Sequence, residues 1–577
     1  MSGVESHPRG WIRAALPWGA LLSALGGPSS AQVFSQQKIS DTQGGFTGTL
    51  DVVDFFGHAT ASLGDLDQDG TPELAVGAPF DADGGTKHGA VWVLFLDGDG
   101  TVKSHQKISD TAGGFTGQLS VGDIFGTSLA APGDLDGDGV ADLAVGAPDD
   151  DDGGSARGAV WILFLNADGT VKSHQKISST AGGFQGVLDD NDLFGSSIAS
   201  LGDFDLDGTV DLAVGACGDS DGGLERGAVW LLFLNPDGTV KDHRKISDTA
   251  GGFTGGLEND DAFGDSVAFL GDLDFDGVGD LAAGAAEAGF TKKPPFSPLS
   301  AGAVWVLLLN ADGSVKAHQK IGDGLAGFTG ELDVFDRFGA GLAAAGDLDG
   351  DGVQELAVGA PDDDDGGVSS FTDRGAVWLL FLEADGTVRA HRKISDTEGG
   401  FAGVLDDSDR FGQSIALLGD LDGNGVGDWA VGAPEDDDGG SAHGAVWVLF
   451  LEPTVPAAEV VRQGVPPNPI AFLPGVTSPP VVGAVWDPVV APFLPGAFVD
   501  FCWVAVQPVN TPTPSGTLLC EPPDPGLLFT SPPGVPFQLQ VPSNPALVGL
   551  SFCAQGGSRA PASFALANAL DVTVGTF

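Results

Sequence analysis

Three things are scarce in this 577-residue chain: cysteine, basic residues and long apolar runs. The four cysteines, Cys217, Cys502, Cys520 and Cys553, are too few for a disulfide scaffold; one bridge near the C-terminus, Cys502–Cys520, is the most that their clustering suggests. Lys and Arg total 25 against 80 Asp and Glu, a formal net charge of −55. Such a surface repels nucleic acid and anionic membranes, and its natural partners are cations or basic surfaces. No apolar run after the N-terminal one is long enough to cross a bilayer. Nucleotide-binding fingerprints, the Gly-x-Ser-x-Gly elbow and His-Glu-x-x-His are all missing, and nothing sets a nucleophile beside a base.

What is present indicates a folded, strand-rich protein. A hydrophobic fraction of 42% separates the chain from acidic disordered sequences. The 91 glycines and 36 prolines punctuate it with tight turns, which favours an all-β fold. At the N-terminus, Arg9 and Arg13 precede the apolar stretch Ala14 to Leu25, and Ser29-Ser30-Ala31 offers small residues. This pattern predicts a signal peptide over 1–31 and an extracellular, secreted or cell-surface protein.

One unit repeats six times. Phe-Gly occurs at Phe56, Phe125, Phe194, Phe263, Phe338 and Phe411, in steps of 69, 69, 69, 75 and 73 residues. The unit continues through an acidic loop, a Leu-Ala-Val-Gly-Ala-Pro strand or a variant, a second acidic loop in all copies but the fourth and a Gly-Ala-Val-Trp strand, and the first five copies end on Val-Lys-Ser-His-Gln-Lys-Ile-Ser or a variant. In the Gly-Ala-Val-Trp strand, Val91, Val93 and Phe95 face one way and Trp92, Leu94 and Leu96 the other. Both faces are apolar, so both need cover, as in a propeller blade stacked between its neighbours. The segment Gln37 to Thr42 copies the fourth strand of a repeat yet precedes the first Phe-Gly, and the last repeat stops at Leu451 without one. The N-terminal strand is therefore expected to complete the last blade. The reading is a six-bladed β-propeller over 32–452, with seven blades as the alternative. A Pro-rich linker over 453–470 and a small C-terminal β-sandwich over 471–577 follow it.

The first acidic loop reads Asp-x-Asp-x-Asp-Gly-x-x-Asp. Its acidic or amide positions 1, 3, 5 and 9 are Asp65, Asp67, Asp69 and Glu73; Asp134, Asp136, Asp138 and Asp142; Asp203, Asp205, Asp207 and Asp211; Asp272, Asp274, Asp276 and Asp280; Asp347, Asp349, Asp351 and Glu355; and Asp420, Asp422, Asn424 and Asp428. Hard oxygens set around a Gly turn suit Ca²⁺, which predicts about six ions, one per blade. An EF-hand needs Glu at position 12, where these loops carry Val76, Val145, Val214, Ala283, Val358 and Val431. Without a cation, so many carboxylates in tight turns would repel one another strongly.

Phe125-Gly126, Asp134 to Asp142 and Val145-Gly146-Ala147-Pro148 together resemble the FG-GAP repeats of integrin α-subunit propellers, and the likeness runs over 34–451. The resemblance implies Ca²⁺ in these loops on one face and partner binding on the other. It departs from the family in blade number, in Cys217 and Ala286 at the Pro position, and in repeat 4, where Lys292-Lys293-Pro294-Pro295 replaces the second acidic loop. The expected function is a non-enzymatic adhesion or protein-binding module whose partner is a protein or glycan, with a cationic one favoured. An extracellular lyase or hydrolase and a structural surface component are the alternatives. The second acidic loops (Asp81/Asp83, Asp149 to Asp152, Asp219/Asp221, Asp362 to Asp365, Glu435 to Asp438) read either as a negative platform or as a solvated surface. The recurring His105, His174, His243, His318 and His391 read as structural, and Trp92, Trp161, Trp230, Trp305, Trp378 and Trp447 as blade core.

Overall fold

The computed structural model describes residues 32–288, 301–365 and 372–452 in full, and beyond them the backbone of strands between 458 and 573. The expected signal peptide and the Lys292 to Pro295 insert lie outside the described residues. Two units are present, 30–454 and one containing 455–577.

In the larger unit each repeat folds as an antiparallel four-stranded sheet, and there are six of them. In blade 1 the order is β2 (Thr60–Gly64), β3 (Glu73–Ala78), β4 (Ala90–Leu96) and β5 (Val102–Ser109). Blade 6 takes three strands from its own repeat, Ile415–Gly419, Asp428–Ala433 and Ala445–Glu452, and its fourth is the N-terminal β1 (Gln32–Ile39). Lys38 lies opposite Trp447, as Lys107 lies opposite Trp92. The ring therefore closes on six blades, as the leading Gln-Lys-Ile segment indicated, and the edge of the last sheet is paired.

Every residue of β4 is buried, and its two faces belong to different cores. Val91, Val93 and Phe95 pack with Phe125 and Trp161 of blade 2. Trp92, Leu94 and Leu96 pack with Val446, Val448 and Phe450 of blade 6. Phe-Gly joins neighbouring blades: Phe125 bridges in parallel to Gly89, and the bridge recurs around the ring until Phe56 meets Gly444. Gly89 has φ +87° there, and a Cβ on it would lie 2.0 Å from the Phe125 carbonyl oxygen. Only glycine fits that approach.

The C-terminal unit is also all-β. A five-stranded sheet runs in the order Ala458–Arg462, Ser563–Thr573, Ser551–Ala560, Val499–Ala505, Leu528–Ser531. Its first strand falls within the stretch expected as a linker and pairs Ala458 with Thr573. The packing of a sandwich and the Cys502–Cys520 pairing concern side chains outside the described residues.

Removing residues 32–40 strips blade 6 of its outer strand and bares the Ala445–Glu452 edge. The truncated chain should melt well below wild type in scanning calorimetry and associate on size-exclusion chromatography; an unchanged midpoint would contradict closure by β1. Phe125→Ala, at a site with no exposure, should cost about 3–5 kcal/mol in chemical denaturation.

Candidate metal centres and the two ends of the propeller

The Asp-x-Asp-x-Asp-Gly loop connects the first and second strands of every blade, at the end where the third strand also turns into the fourth. Local chemistry shapes it. Asp134 accepts from the Asp138 N–H (2.9 Å) and the Gly139 N–H (2.8 Å), which closes the turn. Gly139 has φ +90°, a conformation that favours glycine. Position 9 begins the second strand and has no exposure in any blade. There Asp142 accepts from the Leu135 N–H (2.9 Å) in the loop and the Leu165 N–H (3.1 Å) on the third strand, so it ties the loop to the sheet. Asp211, Asp280 and Asp428 make the same two links.

The loops gather carboxylate oxygens, though not every position takes part equally. Asp347, Asp349, Asp351 and Glu355 bring one carboxylate oxygen each within 4.8 Å of one another. Asp65, Asp67 and Glu73 converge in the same way, as do Asp134, Asp136 and Asp142; Asp203, Asp205 and Asp211; and Asp272, Asp274 and Asp276. In blade 6, Asp420 accepts from the Gly425 N–H (2.9 Å), and Asn424 Oδ1 accepts from the Val426 N–H (2.8 Å). Position 5 of blades 1 to 4, Asp69, Asp138, Asp207 and Asp276, lies against Lys103, Lys172, Lys241 and Lys316, whose ammonium groups hold these carboxyls below their usual range.

The donor set fits a hard divalent cation. Glu73 Oε1 and Glu355 Oε1 are buried at the loop and accept no hydrogen bond. Burial pushes position 9 up to about 7 at Glu73, 8 at Glu355 and 6 at Asp142, Asp211, Asp280 and Asp428. A cation beside these oxygens would satisfy them and keep them ionised.

The opposite end of the blade is charged too, but much of its charge is spent internally. Lys107 reaches Asp81 (2.6 Å) and Asp83 (2.7 Å) of the second acidic loop, while its ammonium stands 5.3 Å from the centre of the Trp92 ring. The arrangement recurs as Lys176 with Asp150 and Asp152, Lys245 with Asp219 and Asp221, Lys393 with Asp363 and Asp365, and Lys38 with Asp436 and Asp438. Asp81, Asp150, Asp219, Asp363 and Asp436 are all buried, so a negative platform can use only the acids left outside them, such as Asp151, Asp189 and Asp190. A second buried acid per blade precedes Phe-Gly. Asp54 accepts from the Asp51 N–H (2.7 Å) and Asp336 from the Asp333 N–H (2.7 Å). Burial, aided by the neighbouring acid, raises these groups to about 7 at Asp54 and Asp409, 6 at Asp123 and Asp192, and 8 at Asp336.

The ring axis opens at this same end into a cavity of about 360 Å³. Its lining is lopsided. Phe55, Ile124 and Leu193 line one part, and Arg337 and Arg410 occupy the same position before Phe-Gly in blades 5 and 6. Arg337 Nε lies 3.2 Å from Glu287; Arg410 reaches Asp362 (3.0 Å) and Glu435 (2.6 Å). The sequence reading placed the repeat's one strong asymmetry in the repeat 4 insert and missed this one; the signal was the residue just before Phe-Gly. The repeated histidines are structural: His105 Nε2 is 3.2 Å from the Thr47 hydroxyl, and its ring packs on Phe46 and Trp92. The repeated tryptophans are buried core.

This blade, with its Phe-Gly bridge and acidic loop, is similar to the FG-GAP repeat. The FG-GAP repeat family matches residues 56–94, 125–163, 263–307 and 338–380, the first three strands of blades 1, 2, 4 and 5. Blades 3 and 6 have the same four-stranded sheet. The propeller resembles those of integrin α-subunits. Integrin alpha-5 of Xenopus laevis is 32% identical over 236 residues, covering 40% of this chain and 20% of that protein. Integrin alpha-PS2 of Drosophila melanogaster is 36% identical over 123 residues (21% and 8%), and integrin alpha-PS5 of the same organism 31% over 234 residues (39% and 21%). The chain thus spans between 8% and 21% of the length of these relatives. Among the described residues no helix is long and apolar enough to cross a membrane.

The raised acids before Phe-Gly set a pH dependence. Asp336 holds its proton in the folded chain up to about pH 8, whereas an unfolded Asp releases it near pH ~4. Between those values the folded state binds the extra proton, so stability falls as pH rises through that window. Asp336→Asn should flatten the fall in melting temperature between about pH 5 and pH 8; a slope identical to wild type would show that Asp336 does not titrate there.

Proposed function

We propose that this chain is an extracellular Ca²⁺-binding propeller that serves as a non-enzymatic adhesion or protein-binding module. The observation that carries the calcium reading is the buried position 9 carboxylate at the root of each loop, with Glu73 Oε1 and Glu355 Oε1 left without a hydrogen-bond donor. In this reading Asp65, Asp67, Asp69 and Glu73, and their counterparts in the other five loops, surround one ion each. The ion neutralises acids that the fold has taken out of water and locks the loop to the second and third strands. The N-terminal 1–31 pattern supports an extracellular setting.

Partner recognition belongs, on this reading, to the end away from the cation loops. There Phe55, Ile124 and Leu193 make an apolar arc in a cavity that Arg337 and Arg410 also line. Exposed acids such as Asp189 and Asp190 stand on the same end. The partner is a protein or glycan, with basic groups to meet those acids. The likeness to integrin α-subunits supports a binding role over catalysis.

Calcium bound only by the folded chain stabilises it by about 2.7 kcal/mol per site at a hundredfold excess over Kd. Adding EGTA should therefore lower the melting temperature markedly and Ca²⁺ should restore it; identical melting in EGTA and in millimolar Ca²⁺ would rule the calcium reading out. A pull-down from extracellular extract, with and without Ca²⁺, should recover a partner that Arg337→Ala/Arg410→Ala weakens.

A further inference from the structure

The six cation loops differ in one residue that comes from another strand. The outer strand of each blade holds one extra residue, a β-bulge, beside the last Leu of the third strand. The bulged residue is Lys103, Lys172, Lys241, Lys316 and Arg389 in blades 1 to 5. In blade 6, where β1 supplies the strand, it is Phe34, between Val33 opposite Leu451 and Ser35 opposite Phe450. A bulge turns one side chain out of the strand's alternation, and here it sits at the cation-loop end.

In blades 1 to 5 the bulged base lands on loop positions 3 and 5. Lys172 lies against Asp138 and 2.9 Å from Asp136; Lys241 against Asp207 and 2.9 Å from Asp205; Lys316 against Asp276 and 2.8 Å from Asp274. Lys103 lies against Asp69 and 3.5 Å from Asp67. Arg389 is 2.5 Å from Asp349 and 2.9 Å from Asp351. Blade 6 changes both partners together. Phe34 brings no charge, and position 5 is Asn424, whose Nδ2 donates instead to Asp422 (3.1 Å) and to the Leu451 carbonyl (2.7 Å). Four acids with one base, or three acids with none, leave every loop with the same formal charge.

We propose that the bulged base and Ca²⁺ compete for the oxygens of positions 3 and 5, so that loop 6 is the tight site and loops 1 to 5 are weaker sites tuned by Lys103, Lys172, Lys241, Lys316 and Arg389. Equal charge gives all six loops a similar long-range attraction for the ion. The difference is local. In loops 1 to 5 an ammonium or guanidinium must leave those oxygens, or stay and repel the arriving ion, before the full set can close. Among the described residues loop 6 meets no such competitor, and its ion sits on the blade that β1 completes, so the first calcium bound strengthens the seam of the ring.

The proposal rests on the calcium reading, and one experiment separates the two. Chelator-stripped full-length protein is titrated with Ca²⁺ by isothermal titration calorimetry, as wild type, Phe34→Lys and Lys172→Met. Phe34 is 48% exposed, so lysine is tolerated there, and melting in EGTA checks that each variant is folded. Wild type should show one tight site ahead of a weaker class. Phe34→Lys should weaken the tight site by about tenfold, the order of change expected of one positive charge facing a cation at a partly exposed site. Lys172→Met should add a second tight site. Six indistinguishable sites, or a tight site that neither substitution changes, would overturn the competition while leaving calcium binding intact; no Ca²⁺ uptake at all would overturn the calcium reading itself.

Discussion

A carboxylate taken out of water needs a positive partner or a cluster of N–H donors, and each blade of this propeller is built around several such groups. At one end, a position 9 acid with no exposure roots the loop between the first and second strands. At the other, Asp81 and its counterparts are buried beneath Lys107 and its counterparts. At the second end a single lysine lies across two aspartates and a tryptophan ring, and the acid before Phe-Gly stays buried beside them with its proton held by burial. The first end is settled only in part, by backbone N–H groups and a bulged base, and there Glu73 Oε1 and Glu355 Oε1 remain without donors. The net charge of −55 is thus more than a soluble coat.

The ring follows from a second demand. A strand that is apolar on both faces cannot lie on a surface, so each third strand must sit between two sheets. The Phe-Gly bridge sets that spacing. Phenylalanine fills the gap between blades, and glycine on both sides allows the backbones to approach; a Cβ on Gly77 would lie 2.0 Å from the Gly126 oxygen. With every blade bridged to the next, the N-terminal strand has one place left to pair, beside Ala445–Glu452. The same bridge gathers the variable residues that flank Phe-Gly and Val-Gly-Ala-Pro around one mouth, so a nearly uniform ring acquires one uneven site.

Much of this was legible in the sequence because it is local or periodic. Phe56 to Phe411 marked the blades, the doubly apolar Val91 to Leu96 required cover on two sides, and Gln37-Lys38-Ile39 foretold how the ring closes. The acidic loops were legible for the same reason, since their positions lie within nine residues. What escaped notice depends on register between strands. Lys172 is 34 residues from Asp138, and only the bulge beside Leu165 shows that they meet. The equivalence of Phe34 with Lys172 is harder still to read, because β1 enters blade 6 from the other end of the chain. Arg337 and Arg410 looked unremarkable in the repeat until the ring brought them to one mouth, and the internal use of the second acidic loops became visible only through Lys107 and its counterparts.

Anomalous diffraction from crystals grown with a lanthanide in place of Ca²⁺ tests the central claim most directly, because it locates each ion among its ligands. The account predicts a peak inside the loops, bounded by positions 1, 3, 5 and 9, that fills first at Asp420, Asp422, Asn424 and Asp428. Loops without peaks at saturating lanthanide, with the bulged bases still seated on positions 3 and 5, would contradict it.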